Sequence, residues 1–282
     1  MNELATERAP AIAPGHGGLE LALVAGQSAV TSAWAASPLK LLVPRPRGQS
    51  VWAYSSSFGG GLLAGDEIQL TLKLATGARG FFSTQASTKV YRNPRQRPCG
   101  HRLSATLADD ALLVLAPDPV QLFAGSGYEQ RQEFHLEKRA GLVLVDWCCG
   151  GRVARGERWA FTRFHSRNEV FVRGERLLLD SLLLDPAHGP LDGAHRMGRF
   201  NCLALVALIG EPVRALAAQV LEEIAGRPIN RQGSLVCSAS PLADGALLRI
   251  AGEHTEAVGR EIYRHLGRVG DLLGDDPWAR KW

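Results

Sequence analysis

Residues 67–74, with the sequence EIQLTLKL, decide the fold class of this chain. Every second side chain is apolar from Ile68 to Leu74, and the residues between them are polar or charged. Successive side chains of a β-strand point to opposite faces of a sheet, so this period of two puts all the apolar groups on one face. The stretch therefore predicts a half-buried β-strand.

Strand patterns continue along the chain on the C-terminal side of this stretch. RLSATL at 102–107 repeats the alternation, whereas ALLVL at 111–115, GLVLV at 141–145 and RLLLDSLLL at 176–184 are apolar on both faces, as is typical of strands inside stacked sheets. Turn-forming segments such as ATGARG and NPRQRPCG separate these runs. Because no convincing amphipathic helix precedes residue 210, we predict a mainly β protein with a multi-stranded, stacked-sheet, β-helix-like body.

The last third of the chain has a different pattern. An apolar strand at 200–210 precedes a helical stripe from Val213 to Ile224, and two short strands then lead to a second helix at about 253–273. We predict a flexible N-terminal tail at 1–16, a β scaffold at 17–200 and a smaller α+β part with two helices at 201–275. This last part either forms its own unit or continues the scaffold as one domain.

Composition excludes several classes of protein. Hydrophobic residues make up 45% of the chain and charged residues 21%, the balance of an ordinary globular protein. The net charge of +4 is too small to indicate a nucleic-acid partner, and the longest apolar runs are far shorter than the roughly 20 residues of a membrane helix. The N-terminus has no signal-peptide pattern. We therefore expect a soluble cytoplasmic protein that binds neither nucleic acid nor membrane.

The five cysteines form no CxxC pair and indicate neither a disulfide framework nor a zinc ribbon. Cys148 and Cys149 are adjacent and could hold a soft metal together. Neighbouring residues on a strand point to opposite faces, however, which favours two small buried side chains.

A glycine loop, GGLLAGDE at 60–67, resembles a phosphate-binding loop with a different ending. Gly60 and Gly65 have the required spacing, but Asp66 and Glu67 stand where lysine and a hydroxyl residue belong. A strand follows instead of the helix whose N-terminus would hold the anion, and the two carboxylates would repel phosphate. The loop is therefore either a plain turn or a turn whose carboxylates bind a divalent cation.

Three other segments concentrate polar residues. The segment STQASTKVYRN at 83–93 is either a hydrogen-bonded ladder or a binding site, and APDPV at 116–120 is a rigid turn that carries Asp118. DWCCGGRVARGERWAF at 146–161 contains Asp146, Arg152 and Glu157, which could form an ion pair or part of a site. No histidine spacing typical of a metal site and no nucleophile elbow is present, so we expect no enzyme.

Together, these segments resemble the urease accessory protein UreD family, called UreH in some systems. The motifs GGGLLAGDEIQLTLKLATGARGFFSTQASTKVYRN, APDPVQLF and LVDWCCGGRVARGERWAF occur in the family's order and spacing. The resemblance implies a non-catalytic scaffold that docks on the urease apoprotein and binds UreF, which in turn recruits the GTPase UreG. It also implies that nickel travels to urease through an internal tunnel. No tightly bound cofactor is then expected, only nickel in transit.

The resemblance also implies roles for individual residues. Asp66 and Glu67 close the family's glycine motif and are the first candidates to line a nickel path, followed by Glu157. Asp146 and Asp118 are further candidates. Many members have an acid directly after the first tryptophan of this segment, where this chain has Cys148, and many have PQE where this chain has PDP. Lys89 is expected to pair with an internal carboxylate. The remaining matched positions are expected to be structural: Gly60, Gly65, Thr84, Gln85, Tyr91 and Arg152.

Two other functions stay open at this point. The same acids could be the metal ligands of a metal-dependent hydrolase on a β scaffold, which would bind its metal tightly and turn over a substrate. A sugar-binding β module would need exposed aromatic residues, whereas aromatic residues make up only 7% of this chain.

Overall fold

The computed structural model of the protein describes residues 12–45, 48–97 and 99–280. Most of the predicted N-terminal tail lies outside these residues, and the first strand begins at His16. The described residues form the following strands, numbered along the chain: β1 (His16–Val24), β2 (Gln27–Ala35), β3 (Leu39–Leu42), β4 (Val51–Ser57), β5 (Glu67–Leu74), β6 (Arg79–Thr84), β7 (Thr88–Val90), β8 (Gly100–Leu107), β9 (Leu112–Leu115), β10 (Val120–Leu122), β11 (Gly127–Leu136), β12 (Gly141–Cys149), β13 (Arg163–Val172), β14 (Glu175–Leu184), β15 (Cys202–Ile209), β16 (Leu235–Leu242) and β17 (Gly245–Gly252).

The strands form two large sheets. Sheet A has the order β14-β13-β11-β8-β5-β1-β2, and sheet B has the order β16-β17-β15-β12-β9-β6-β4-β3. In sheet B, β10 also pairs with β12, and β7 pairs with β10. From β5 to β13 the chain alternates between the sheets, and within each sheet these successive strands pair in parallel. The predicted β-helix-like body of stacked sheets is confirmed.

Alternating burial follows the predicted periodicity. In β5 the side chains are alternately exposed and buried throughout, and Leu70 and Leu72 are almost completely buried between the sheets. Burying a leucine side chain contributes about 1.5–3 kcal/mol, so the repeated apolar rows of successive strands supply much of the stability of the body. The strands at 111–115 and 141–145 are buried on both faces, as predicted.

One strand differs from its prediction. RLLLDSLLL at 176–184 was expected inside stacked sheets, but β14 is the edge strand of sheet A and pairs only with β13. Leu179 and Leu183 remain 43% and 42% exposed. Apolar residues on both faces show that a segment is suited to burial, but they do not show whether a neighbouring layer covers it.

The C-terminal strands extend sheet B. β15 pairs antiparallel with β12, and β17 and β16 follow it. Three helices lie near the C-terminus: α1 (Arg214–Ala225), α2 (Thr255–His265) and α3 (Val269–Leu273). The helices cover the outer face of sheet B and close a second apolar cluster there, distinct from the cluster between the sheets. The predicted order of strand, helix, strand, strand and helix is confirmed.

The second predicted helix is interrupted. The segment predicted as one helix from 253 to 273 forms α2 and α3, with Leu266, Gly267 and Arg268 between them. Glycine is among the poorest helix formers, and Gly267 sits at this break. The predicted inner face is correct all the same, since Val258, Ile262, Leu266, Val269 and Leu273 are fully buried.

The cysteines are free thiols, and Cys148 and Cys149 lie on opposite faces of β12. Burial raises the pKa of both thiols, to about 11 for Cys149 and well above the usual range for Cys148. The adjacent pair therefore does not converge on one metal ion. None of the helices in the described part of the chain is long and apolar enough to cross a lipid bilayer.

Candidate functional site

A cluster of polar side chains interrupts the apolar interior between the sheets. On β11 the buried positions are Tyr128, Gln130, Gln132, Phe134 and Leu136, so two glutamines take core positions. On the neighbouring β13, Ser166 pairs in register with Gln130 and Asn168 pairs with Gln132. Buried polar groups must be hydrogen-bonded to be tolerated, so this cluster needs partners from the opposite sheet.

Asp146 of β12 provides that partner. Its Oδ1 accepts a hydrogen bond from Gln130 Nε2 at 2.9 Å, and its Oδ2 accepts from Ser166 Oγ at 2.6 Å and Asn168 Nδ2 at 2.7 Å. Burial raises the pKa of the Asp146 carboxyl above its ordinary value, while the three hydrogen bonds act in the opposite direction. Asp146 therefore joins the two sheets through these hydrogen bonds, and the burial of its carboxylate disfavours the charged form.

A cavity of about 190 Å³ lies between the sheets beside this cluster, and we call it the inner cavity. Asp146, Gln130 and Gln132 line it on one side, and Asp118 and Thr84 line it near the end of β6. Asp118 is buried, and its carboxylate accepts a hydrogen bond from Thr84 Oγ1 at 3.2 Å. A space of this size with carboxylate, amide and hydroxyl walls can hold several ordered waters.

Two further cavities share walls with the inner cavity. The lateral cavity, about 370 Å³, lies between β12–β15–β17–β16 and β13–β14, and Asp146 and Trp147 line both it and the inner cavity. The mouth cavity, about 350 Å³, includes Glu67 at the start of β5, and Ile68 and His101 line both it and the inner cavity. The inner cavity therefore borders the lateral cavity at Asp146 and Trp147. The mouth cavity is lined mainly by outward-facing side chains of sheet A and borders the inner cavity at Ile68 and His101.

His101 lies on β8, on the same face of the strand as the buried residues Leu103, Ala105 and Leu107. Its Nε2 is buried and has no hydrogen-bond partner. Burial lowers the pKa of the imidazole from 6.5 to about 4, so the ring is neutral at neutral pH. A neutral imidazole is a common ligand for divalent transition metals.

The two acids of the glycine loop have different surroundings. Asp66 closes the turn, because its Oδ2 accepts a hydrogen bond from the Leu63 backbone N–H at 2.8 Å, and it lines none of the three cavities. Glu67 lies on the exposed face of β5 and lines the mouth cavity. Gly60 and Gly65 have φ angles of +72° and +94°, which require glycine, so the loop is a turn as the rejection of the phosphate motif implied.

Glu157 is engaged in an ion pair away from the cavities. Both of its carboxylate oxygens accept hydrogen bonds from Arg152, and Oε2 also accepts from the Ala124 backbone N–H at 3.2 Å. The hydrogen bonds from Arg152, and then that from Ala124, hold the pKa of Glu157 below its ordinary value. The Arg152 guanidinium also lies 4.3 Å from the centre of the Phe123 ring. The sequence of the segment at 146–161 allows either an ion pair or part of a site, and the structure shows the ion pair between Arg152 and Glu157.

The matched TQAxTKVYR residues are divided between cavity and surface. Thr84 and Gln85 line the inner cavity, and the Tyr91 ring packs edge-on against Phe123 at 5.4 Å. Lys89 is exposed, and no carboxylate of the described residues forms an ion pair with it. The expected pairing of Lys89 with an internal carboxylate is therefore not found within the described ranges.

A different group of metal-ligand residues lies on the outer side of sheet B. Candidate ligand atoms of Cys237, Glu261 and His265 lie within 4.8 Å of one another. Glu261 is already paired with Arg227 at 2.6 Å and Arg264 at 3.0 Å. A cation would have to displace two guanidinium groups, so this cluster is better explained as an ion-pair network that anchors α2.

The arrangement between the sheets can bind a divalent cation with few protein ligands at a time. Carboxylate and amide oxygens with bound waters suit hard and borderline cations, and an imidazole adds a preference for transition metals. Asp118 and Asp146 are predicted from the sequence, whereas the motifs do not indicate the other polar residues of this site: Gln130, Gln132, Ser166, Asn168 and His101. The alternation of buried and exposed positions could have identified those on β11 and β13, because Phe134 and Val170 place these polar residues on the buried face.

Comparison with known proteins gives the family. A family model described as "UreD urease accessory protein" matches residues 13–281. A "Urease accessory protein UreD" of Sorangium cellulosum is 49% identical over 95% of this chain and 84% of its own length, and one of Anaeromyxobacter is 42% identical over 94% and 89%. A "Urease accessory protein D" of Oryza sativa subsp. japonica is 33% identical over 98% of both chains. This chain belongs to the UreD family of urease accessory proteins.

Proposed function

We propose that this protein passes nickel to the urease apoprotein by a route that links the mouth, inner and lateral cavities. One observation carries the proposal: the three cavities share walls, and at least one metal-binding side chain lines each of them, from Glu67 through His101 and Asp118 to Asp146. The route begins beside the family's glycine motif. It ends near the edge of sheet B formed by β16 and β17.

The chemistry of the cavity walls suits transfer better than storage. A closed set of histidine and cysteine ligands holds a transition metal tightly, whereas one carboxylate supplemented by water and amide oxygens holds it weakly. Ion pathways require binding that is favourable enough for entry and weak enough for release. Asp118 lies in the loop between β9 and β10, and Asp146 lies on β12. The two carboxylates are separate, and each accepts hydrogen bonds from neutral protein groups. The two carboxylates can therefore bind the ion one after the other.

We propose three partners for this transfer. The protein docks on the urease apoprotein together with UreF, and UreF brings the GTPase UreG, the source of the nickel. The helices α1 and α2 offer a surface for UreF, because they cover the outer face of sheet B and leave the cavities on its inner face accessible. No cofactor is required for this function, since nickel is the cargo and not a resident ion.

Omission and substitution test the proposal. Urease is co-expressed with the accessory proteins, with and without this chain, and nickel per urease active site is measured by mass spectrometry. Omission should abolish most nickel loading, and full loading without the chain would refute the function. Replacing Glu67, which lines the mouth cavity, by glutamine should lower loading while the complex still forms in a pull-down. Loss of partner binding in that variant would instead show that Glu67 is structural.

A matched pair of variants tests the route itself. Asp118→Asn removes a carboxylate that lines the inner cavity, and Glu157→Gln removes one that lies outside all three cavities. Nickel loading should fall with the first variant and stay at the parent level with the second. Equal loading by both would refute the route. Tight stoichiometric metal binding with turnover of a small ester would support the metal-dependent hydrolase instead.

A further inference from the structure

One side chain in the wall between the mouth cavity and the inner cavity has an unused ligand atom. His101 lines both cavities, and its Nε2 is buried without a hydrogen-bond partner. Its register neighbours on the same face of sheet A are Ile68 on β5 and Gln130 on β11. The hydrogen bonds of the Gln130 amide go to Tyr128, Ser166 and Asp146, so Gln130 is not a partner of the imidazole.

A structural histidine would be expected to have different surroundings. Buried imidazoles in protein cores normally donate or accept at both nitrogens, because an unpaired polar atom away from water destabilises the fold. The other polar residues of this interior satisfy one another through the Asp146 cluster, so the chain can build paired polar groups here. His101 is the exception in the same row of the sheet, and its lone pair is available to something that enters.

We infer that His101 is a ligand for nickel at the passage from the mouth cavity to the inner cavity, an inference that rests on the proposed nickel route. The ion would leave Glu67 in the mouth cavity, where Glu129 is already paired with Arg131 at 2.7 Å. It would then bind the imidazole and continue to Asp118 and Asp146. The imidazole needs to lose no proton to bind the ion, because burial already keeps it neutral.

This ligand also gives the passage a basis for selectivity. Carboxylates, carbonyl groups and water suit Mg²⁺ and Ca²⁺ as well as transition metals, so acids alone would not exclude the abundant hard cations. Imidazole prefers borderline metals such as Ni²⁺, whose affinity for a given nitrogen site exceeds that of Mn²⁺ or Fe²⁺. A histidine in the wall between the mouth and inner cavities therefore favours entry of nickel over magnesium.

The test is a metal titration of the full chain by calorimetry, with Ni²⁺ and separately with Mg²⁺. We compare the parent with His101→Leu and with the matched control His195→Leu, which removes an exposed histidine of the loop between β14 and β15. His101→Leu should weaken Ni²⁺ binding at least tenfold, the order expected for losing a metal-site residue. It should leave Mg²⁺ binding unchanged, and the control should bind both ions as the parent does.

The outcomes separate ligand from structure. Leucine removes a buried nitrogen that has no hydrogen-bond partner, so His101→Leu should unfold thermally at the same temperature as the parent or higher. Equal Ni²⁺ affinity of the parent and His101→Leu overturns the inference, and so does an equal loss in the His195 control. If the leucine variant does not fold, His101 has a structural role that this inference denies, and His101→Gln then decides by the same Ni²⁺ criterion. Urease that loads fully without the chain refutes the proposed function, whatever the titration shows.

Discussion

Replacing Asp146 by asparagine should slow nickel transfer without unfolding the protein. The substitution keeps the size of the side chain and removes its charge. The Asn168 amide is fixed in orientation, because its Oδ1 accepts from Gln132 Nε2 at 2.9 Å while its Nδ2 donates to Asp146. Asparagine at 146 can still accept from Ser166 and Asn168 through its own oxygen. Its NH₂ group then faces Gln130, whose amide can reverse because the Tyr128 hydroxyl can either donate or accept.

The expected magnitudes follow from these contacts. The asparagine variant loses the bond from Gln130 Nε2 to Ser166 Oγ when the Gln130 amide reverses, and a buried charge is removed. The free energy of unfolding should therefore change by less than about 2 kcal/mol. Asp146→Ala instead leaves three donors without their acceptor at about 1–3 kcal/mol each, less what cavity water restores. For nickel, a carboxylate at about 4 Å from a divalent ion contributes roughly 8 kcal/mol at an effective dielectric of 20. Losing even a fifth of that corresponds to about tenfold slower transfer.

Two measurements check this prediction together. Urea unfolding followed by circular dichroism gives the stability of the parent, Asp146→Asn and Asp146→Ala. The complex with apo-urease and the accessory proteins then gives the rate of nickel incorporation for the parent and the asparagine variant. Transfer at the parent rate by Asp146→Asn would remove Asp146 from the route. A loss of more than about 3 kcal/mol in the same variant would contradict the hydrogen-bond arrangement on which the magnitudes depend.

Three further predictions concern other parts of the molecule. His101 binds a proton in the unfolded chain but not in the folded one between pH 6.5 and about 4, so stability falls on acidification. Over that pH range this group should lower the free energy of unfolding by about 3 kcal/mol. His101→Leu should not show this loss when the free energy of unfolding is measured at several pH values. Parallel plots of unfolding free energy against pH for the parent and the variant would contradict the prediction. Gly100→Ala places a Cβ 2.2 Å from the Glu129 carbonyl oxygen, so it should destabilise the protein by about 2 kcal/mol or more, and an unchanged unfolding midpoint would refute the close approach of β8 and β11. Glu157→Gln should disorder the Arg152 side chain, seen as loss of its protected guanidinium signal in NMR spectra, whereas a persistent signal would show that the ion pair is not what holds it.

Local patterns predicted the layers of this fold well, because burial between sheets imposes a period of two. EIQLTLKL alternates in the structure as its sequence indicates, and the buried stripe from Val258 to Leu273 is correct even though the helix is broken. Pairing between distant strands was not predictable from such patterns. The parallel neighbours of β5, which are β1 and β8, are chosen by contacts between segments about 30–50 residues apart, and no single segment carries that information.

The candidate site was predicted only in part, and for a specific reason. Acids were sought by motif, which identified Asp118 and Asp146 beside the inner cavity but ranked Asp66 and Glu157 above them. Asp66 closes a turn, and Glu157 is paired with Arg152. A motif shows which residues occur together in the sequence. Whether a side chain is buried depends instead on which face of its strand it occupies. The polar run EQRQE in β11 conceals which face is buried, and only Tyr128 and Phe134 on either side reveal it.

The regularity of the paired strands explains how a polar passage can exist in such a core. Successive strands of sheet A align their inward positions in rows, and the rows containing Leu72 and Leu74 are apolar in every strand from β5 to β13. The row that begins at Ile68 continues as His101, Gln130 and Ser166, near the strand starts. In the next row, which begins at Leu70 and Leu103, Gln132 and Asn168 are polar as well. Because backbone hydrogen bonds between parallel strands do not depend on side-chain identity, these two rows can become polar while the Leu72 and Leu74 rows supply the hydrophobic stabilisation. Changes within the polar rows should therefore alter ion transfer more than folding, provided that each remaining donor keeps an acceptor.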